Sequence, residues 1–221
     1  MSEIRGNCKV CNSNTTVISH PKFGDYFYCC NCEFISKDES NRLNEEEEKI
    51  RYSIHKNSIE DKNYVDYFYR FLNGAVTPFV GEGKKGLDFG SGPSPVLAQL
   101  LEEKFNYKMD IYDYYFSPEK VYIGKKYDLV TSTEVVEHLN DPLIYFNLFS
   151  NLLKPNGVLA IMTQFHKNDK DHFLSWSYIR DRSHISFYTP KTMKYIAGKV
   201  GVKVIYTDDF KYITFSLTTN I

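Results

Sequence analysis

The sequence predicts an α/β fold: a doubly wound, mostly parallel sheet with helices on both faces, headed by a small four-cysteine zinc ribbon. Three observations lead there. Strand-like and helix-like stretches alternate from residue 76 to the end. A Gly-x-Gly turn joins the first of these strands to the first of these helices. All five cysteines lie within the first 32 residues. The expected organisation is a ribbon over 1–38, a linker or helical segment over 39–75, and the sheet domain over 76–221.

The ribbon rests on spacing. Cys8-x2-Cys11 and Cys29-x2-Cys32 are two knuckles that bring four thiolates around one tetrahedral Zn²⁺. Using Cys30 in place of Cys29 leaves a Cys-x-Cys spacing, so Cys30 is assigned to packing. Between the knuckles, His20-Pro21 and Phe23-Gly24-Asp25 read as a turn, and Tyr26-Phe27-Tyr28 as the strand that delivers the second knuckle. Two disulfides are the competing reading. An odd cysteine count and the lack of an apolar leader in Met1–Val10 argue against it and point to the cytosol. A four-cysteine site has no open position for water, so its zinc is expected to be structural.

The chain turns polar after Ser36, and Glu45 to Glu48 read as a solvated helix start or linker. Ile59, Tyr64, Tyr67, Phe68, Phe71 and Leu72 recur at helical spacing, with Gly74 as a stop. The alternation then begins. Gly86–Phe89 reads as a strand, Pro95–Lys104 as a helix with proline in its first turn, and Tyr107–Asp113 as a second strand. A short extended piece is expected near Val121, then a strand over Tyr127–Ser132, a helix over Pro142–Leu153 and a strand over Gly157–Thr163. Helix Pro190–Lys199 and strands Val202–Thr207 and Tyr212–Leu217 complete the domain. Ligands of such sheets bind beyond the carboxyl ends of the strands.

Charge narrows the partners. The 27 basic and 28 acidic residues nearly cancel. Residues 1–75 carry 10 basic and 12 acidic side chains, and residues 76–221 carry 17 and 16. Binding driven mainly by phosphate contacts is therefore not favoured. No apolar run approaches the ~20 residues needed to cross a bilayer, so no membrane partner is expected.

The segment Leu87-Asp88-Phe89-Gly90-Ser91-Gly92-Pro93-Ser94-Pro95 carries the first chemical signal. Gly90 and Gly92 permit a tight turn and close approach of a ligand. Asp113, at the end of the next strand, can hold both hydroxyls of a ribose. Asp88 puts a carboxylate two residues before the turn, while Pro93 and Pro95 remove N–H donors that a phosphate would use. A cationic nucleoside suits this loop better than a pyrophosphate, which makes nicotinamide-dependent oxidoreduction a distant reading.

This segment resembles motif I of the class I S-adenosylmethionine-dependent methyltransferases, acid-x-Gly-x-Gly-x-Gly, with Ser94 at the third glycine. The resemblance extends over about residues 76–221. Tyr127-Asp128-Leu129-Val130, then Thr133-Glu134-Val135-Val136-Glu137-His138-Leu139 and Asp141-Pro142, is similar to the fourth strand and following loop of the branch containing ubiquinone-pathway O-methyltransferases. Leu152–Leu159 looks like the turn into strand five, and the last two strands like the family's reversed hairpin, in a Rossmann-like methyltransferase sheet. The stretch from Asp113 to Tyr127 is short for the usual third strand and helix. The resemblance implies S-adenosylmethionine as cofactor. Asp88, Gly90 and Gly92 would meet its methionine end, and Asp113 its ribose. Tyr114 or Tyr115 would meet the adenine, with Thr133 and Glu134 lining the cofactor or acceptor side.

A hydroxyl or protonated nitrogen acceptor must lose a proton, and histidine is the usual base near neutral pH. His184 ranks first as base or acceptor contact. It sits in Trp176–Tyr188, after strand five, where class I enzymes build the acceptor pocket. Asp181 is its expected orienter, and His138, near the cofactor edge, is the second candidate. Arg180 and Arg182 suit an anionic acceptor, with Trp176 beside them. His166 and His172 belong to a Lys/Asp-rich loop that reads as a mobile lid, while His20 and His55 read as structural or exposed. No cysteine follows Cys32, which leaves no covalent cysteine mechanism in the sheet domain. No Asn/Asp-Pro-Pro-Tyr motif follows strand four.

The leading expectation is methyl transfer to an oxygen or nitrogen of a small molecule. An RNA methyltransferase that grips nucleic acid with its ribbon, and a non-catalytic cofactor-binding module, are the competing readings.

Overall fold

The alternation read from residue 86 onward becomes a six-stranded sheet. In the computed structural model, which describes residues 4–53 and 58–218, its strands are β5 (Lys85–Phe89), β6 (Lys108–Tyr112), β7 (Tyr127–Thr133), β8 (Leu153–Met162), β10 (Val202–Thr207) and β11 (Tyr212–Leu217). His55 lies outside the described residues. The spatial order is β10-β11-β8-β7-β5-β6. Strands β8, β7, β5 and β6 run parallel, and β11 lies antiparallel between β8 and β10. The reversed hairpin expected at the end of the chain is therefore present.

Strands buried on both faces carry consecutive apolar residues, and here neighbours go to opposite sides. Leu129, Val158, Ala160 and Met162 face a core closed by α2 (Lys62–Phe71) and α3 (Val96–Phe105). Val130, Leu159 and Ile161 face the other, where α4 (Pro142–Leu152) and α6 (Pro190–Val200) supply Phe146, Phe149, Met193 and Ile196. Both latter helices start with proline at N1 behind a capping side chain, Asp141 or Thr189. Each such fully buried aromatic or aliphatic side chain contributes about 1.5–3 kcal/mol.

Two expected details differ. No strand forms between Asp113 and Tyr127 among the described residues. The Asp113 carboxylate accepts from Tyr115 N and Phe116 N, which turns the chain away from the sheet. The region around Val121 is a turn rather than an extended piece. Gly74 does not stop its helix. It lies inside a π-helical turn, Leu72–Val76, because Leu72, Ala75 and Val76 continue to bury against the sheet.

The N-terminal strands β1 (Ile4–Asn7), β2 (Asn14–His20), β3 (Gly24–Tyr28) and β4 (Ile35–Lys37) form an antiparallel meander. Its last strand pairs with β9 (Ser186–Phe187), which belongs to the second half of the chain. Cys8, Val10, Cys29, Cys32 and Phe34 join the same core as α4 and α6. A smaller cluster of Ile18, Tyr26, Ile35, Phe173, Tyr178, Ile179 and Phe187 closes the seam. No helix among the described residues is long and apolar enough to cross a membrane.

A shared core predicts shared unfolding. Phe34→Ala, at a buried ring that packs 5.5 Å from Tyr188, should cost about 3–5 kcal/mol and lower the urea midpoint of the whole chain in one transition. Two resolved transitions, with only the first moved, would contradict it.

Candidate functional site

The site is built at the carboxyl ends of β5, β6 and β7. Gly90 leaves β5 at φ +88°, and a Cβ there would meet Val135 at 2.2 Å, so no other residue fits. Gly90 N and Ser91 N both donate to Tyr112 O, which binds the turn to the end of β6. Gly92, at φ +66°, has nothing within 4 Å of where a Cβ would stand. Its N–H donates to Asp113 Oδ2 at 2.9 Å. The glycine turn and the acid on the next strand, read separately in the sequence, thus form one unit with open space beside Gly92.

Asp88 differs from its expected role. Its carboxylate does not project into the turn. It is buried in the sheet and accepts from Thr131 Oγ1 at 2.8 Å, across the β5–β7 pairing. Burial, reinforced by the charge of Asp113 and opposed by the Thr131 bond, pushes it up to about 7.

Thr133 ends β7 half-buried. Glu134 follows at φ +53°, its N–H donating to Met162 O. This left-handed turn aims its carboxylate into a cage of tyrosines. Tyr67 Oη donates to Glu134 Oε1 at 2.7 Å. Tyr178 Oη stands 2.6 Å from Glu137 Oε1 and 3.3 Å from Glu134 Oε2. One hydroxyl proton cannot serve two carboxylates at once. Burial, then the charge of Glu137, pushes Glu134 up to about 8, and burial raises Glu137 as well. The pair therefore retains a proton near neutral pH.

His138 and His184 stand side by side, with ring centroids 4.8 Å apart. The Nδ1 atoms face backbone carbonyls: Ser183 O at 3.0 Å for His138, and Tyr178 O at 2.8 Å for His184. Burial lowers both, and burial together with the His138 charge takes His184 down to about 3. Such a ring is neutral at physiological pH and a weak proton acceptor, which removes the reason for ranking His184 first as base. Asp181 does not orient it. The Asp181 carboxylate takes Ser183 N and Oγ and pairs with Arg51 Nε at 2.6 Å. Against the opposing effect of burial, these contacts hold it well below the usual carboxylate range.

Helix α1 (Glu45–Ser53) lies against Tyr114, Tyr115, His138 and Asp181 and buries no residue fully. Its contacts are polar or aromatic: Arg51 to Asp181, Tyr114 Oη to Glu45, Tyr115 Oη to Glu48, and the Tyr52 ring against His138 and Tyr115. Tyr114 itself is 61% exposed. Arg180, which ends the 3-10 turn Ser177–Arg180, and Arg182, between that turn and β9, are both exposed. Trp176 packs against Tyr178 and Phe187 in the seam cluster. His166 is not on a mobile lid. It is buried, and its ring bonds Glu33 O at 2.9 Å. His172 is half-buried on α5 (Lys170–Ser175), beside the Trp176 ring. His20 accepts from Lys22 N and Phe23 N and serves its turn.

The two knuckles fold alike. Cys8 N donates to Ser13 O and Asn12 N to Cys8 O; Cys29 N donates to Phe34 O and Glu33 N to Cys29 O. Asn12 and Glu33 both take positive φ. The Sγ atoms of Cys8, Cys11, Cys29 and Cys32 all lie within 4.8 Å of one another, close to the ~3.8 Å edge of a tetrahedron with 2.3 Å metal–sulfur bonds. The Cys32 hydrogen bond draws the Cys8 thiol down to about 5, against the effect of burial. Cys30 is exposed and outside the cluster.

Tyr67, Tyr178, Glu137, Arg51 and Tyr52 were not among the expected site residues. The Glu134-x-x-Glu137-His138 spacing was the one signal that could have found Glu137. The tyrosines look like ordinary packing aromatics until the chain is folded.

A sheet of this order with a glycine turn tied to a ribose-type acid defines the S-adenosylmethionine-dependent methyltransferase fold of class I. Residues 64–207 match the methyltransferase domain family, and the chain belongs to it. It is 30% identical over 129 residues to a ubiquinone biosynthesis O-methyltransferase of Dinoroseobacter shibae, covering 54% of this chain and 51% of that protein. The chain thus spans about half the length of that relative. Among solved structures, it superposes on the mitomycin 7-O-methyltransferase MmcR with a TM-score of 0.52 and 10% identity, over 77% of this chain and 66% of that one. An O-methyltransferase family protein from Burkholderia thailandensis gives a TM-score of 0.53 at 10% identity, over 77% and 63%. Both share the fold.

The raised Asp88 carboxyl has a consequence for stability. A buried acid that titrates at about 7 when folded and about 4 when unfolded stabilises the fold at low pH, and that contribution is lost as pH rises toward 7. Asp88→Asn lacks this loss. The difference in urea midpoint between the variant and wild type should grow in the variant's favour from about pH 4 to pH 7 and then level off. A constant difference across that range would contradict the burial argument.

Proposed function

We propose that the chain moves the methyl group of S-adenosylmethionine to a hydroxyl oxygen of a small molecule. The carrying observation is the unit formed by Gly90, Gly92 and Asp113, with the Glu134 carboxyl at the end of the neighbouring strand. The open space beside Gly92 fits a cofactor that approaches the backbone closely. Asp113 would hold the ribose hydroxyls, and the proline-flanked loop offers few donors to a phosphate. When bound, the cofactor supplies an electrophilic methyl on a sulfonium whose departure leaves a neutral thioether.

The chain has then to position the acceptor and take its proton. Glu134 is the better base than His184. Its carboxyl, held by Tyr67 and Tyr178, titrates at about 8, near the operating range, whereas His184 titrates at about 3. The tyrosine-rich surround suits a small aromatic acceptor, and the printed name of the sequence relative from Dinoroseobacter shibae is that of an O-methyltransferase. Cys8, Cys11, Cys29 and Cys32 would hold one structural Zn²⁺.

Calorimetric titration with S-adenosylmethionine and its demethylated product tests the reading. Micromolar binding of both is expected, weakened at least tenfold in Asp113→Ala. A folded chain that binds neither would overturn it, and turnover of RNA but not of small phenols would overturn the acceptor class.

Glu134→Gln should lower kcat about 10²–10⁴-fold with cofactor affinity nearly unchanged. A base that is protonated below about 8 makes the wild-type kcat rise with pH up to that value, and this rise should vanish in the variant. An identical pH profile in both proteins would reassign the base.

Chelation should remove one zinc per chain. Because Lys37 N bonds Ile185 O and Thr192 Oγ1 bonds Cys32 O, it should also lower the melting temperature of the whole chain and raise hydrogen exchange over residues 166–192. Cys30→Ser should leave zinc content at one, and Cys29→Ser should abolish it.

A further inference from the structure

Lys211 is half-buried in the turn between β10 and β11, yet its ammonium makes no ion pair and no hydrogen bond among the described residues. It lies over two aromatic rings, 4.3 Å from the centroid of Tyr67 and 5.0 Å from that of Tyr212. We propose that this ammonium receives a carboxylate of the methyl acceptor, so that the acceptor is a phenol bearing an anionic arm. The inference rests on the methyl-transfer reading and names the acceptor class for the same site.

Backbone contacts place Lys211 beside the proposed base. Glu134 N donates to Met162 O, and the next residue, Thr163, donates its N–H to Lys211 O at 3.0 Å. The carboxyl end of β8 therefore holds both residues. Tyr67 spans the space between them. Its hydroxyl donates to Glu134 Oε1 at 2.7 Å, and its ring carries the Lys211 ammonium. Acid and ammonium thus flank one phenol ring. An acceptor ring of that size, lying alongside Tyr67, can present a hydroxyl to Glu134 and a carboxylate to Lys211.

No neighbouring acid explains the cation. Tyr67 and Tyr178 already occupy the Glu134 carboxyl. Asp208, in the same turn as Lys211, spends its Oδ1 on the N–H groups of Phe210, Lys211 and Tyr212. Arg70, three residues beyond Tyr67 on α2, is exposed and pairs with no carboxylate among the described residues. Burial lowers the Lys211 ammonium, the Glu134 charge opposes this, and the Arg70 charge adds to it. Two cations held near each other without a counter-ion favour an anionic ligand.

A carboxylate fits better than a phosphate. The backbone N–H groups of the turn, which a phosphate would use for its further oxygens, are those that Asp208 has taken. The sequence assigns an anionic acceptor to Arg180 and Arg182. Both are exposed, whereas Lys211 shares Tyr67 with the base.

Three catechols that differ only in the arm test the proposal: 3,4-dihydroxyphenylacetate, 4-methylcatechol and dopamine. Each is titrated into the full zinc-loaded chain saturated with the demethylated cofactor. The carboxylate should bind about tenfold more tightly than the neutral compound, and dopamine more weakly than either. Lys211→Gln should remove the preference for the carboxylate over the neutral compound, and Lys211→Arg should keep it. The reading is a ratio within one protein, so a variant that folds poorly moves all three compounds and leaves the ratio in place. Equal binding of the three by wild type would overturn the proposal, as would a preference that survives Lys211→Gln. So would a loss of S-adenosylmethionine affinity of about tenfold in that variant, which would put the ammonium on the cofactor's own carboxylate. Methylation of 4-methylcatechol together with equal binding would show that the carboxylate proposal alone had failed. Cofactor binding with neither binding nor turnover of any catechol would show that the acceptor reading beneath it had failed as well.

Discussion

Four thiols at the head of the chain must converge on one point, and much of the geometry far from them follows from that. The convergence fixes the second knuckle, and the second knuckle fixes what leaves it. Cys32 O accepts from Thr192 Oγ1, Glu33 O bonds the His166 ring, and Glu33 Oε2 accepts from Thr189. Phe34 enters the main core, and β4 runs on to pair with β9. These contacts grip the segment 166–192 at both ends. That segment carries Tyr178 and His184, which have no regular strand or long helix of their own to hold them. The ribbon is therefore a clamp on the site as well as a module beside it.

The second organising feature is the concentration of ionisable groups out of water. Asp88, Glu134 and Glu137 are all pushed upward by burial, and His138 and His184 downward. Each shift moves a group toward its neutral form, and Thr131, Tyr67 and Tyr178 donate to the three carboxyls, leaving Glu137 Oε2 without a hydrogen-bond partner among the described residues. The carboxyl ends of β5 and β7 thus carry less charge than the sequence suggests. A site of that kind would hold a cationic cofactor less by net charge than by shape and hydrogen bonds.

The parts of the fold legible in the sequence were those set by local rules. The glycine turn needed φ values open to glycine, the strands alternated with helices, and Pro142 and Pro190 stood where α4 and α6 begin. The knuckles could be read from spacing because two Cys-x2-Cys turns leave four thiols little freedom but to meet. The role of His184 was not legible. Residue type suggested a base, but its depth and its carbonyl partner make it a neutral, poor proton acceptor. His166 sat in a charged stretch that reads as solvent-exposed, yet Glu33, 133 residues earlier, draws it inward. Asp88 was correctly marked as unusual and wrongly aimed, because the two faces of a strand cannot be told apart when both are buried.

The sequence by itself determined the class of this protein: the order of strands and helices, the Gly90–Gly92 turn with Asp113, and the four cysteines. Each is encoded within a few residues, by backbone freedom, side-chain periodicity or ligand spacing. Only the tertiary structure decided which ionisable groups meet, because that depends on contacts between residues far apart in the chain. Tyr67 reaches Glu134 from 67 positions away, and Tyr178 reaches Glu137 from 41. Protonation follows from the burial those contacts create, and no pattern along the chain records it.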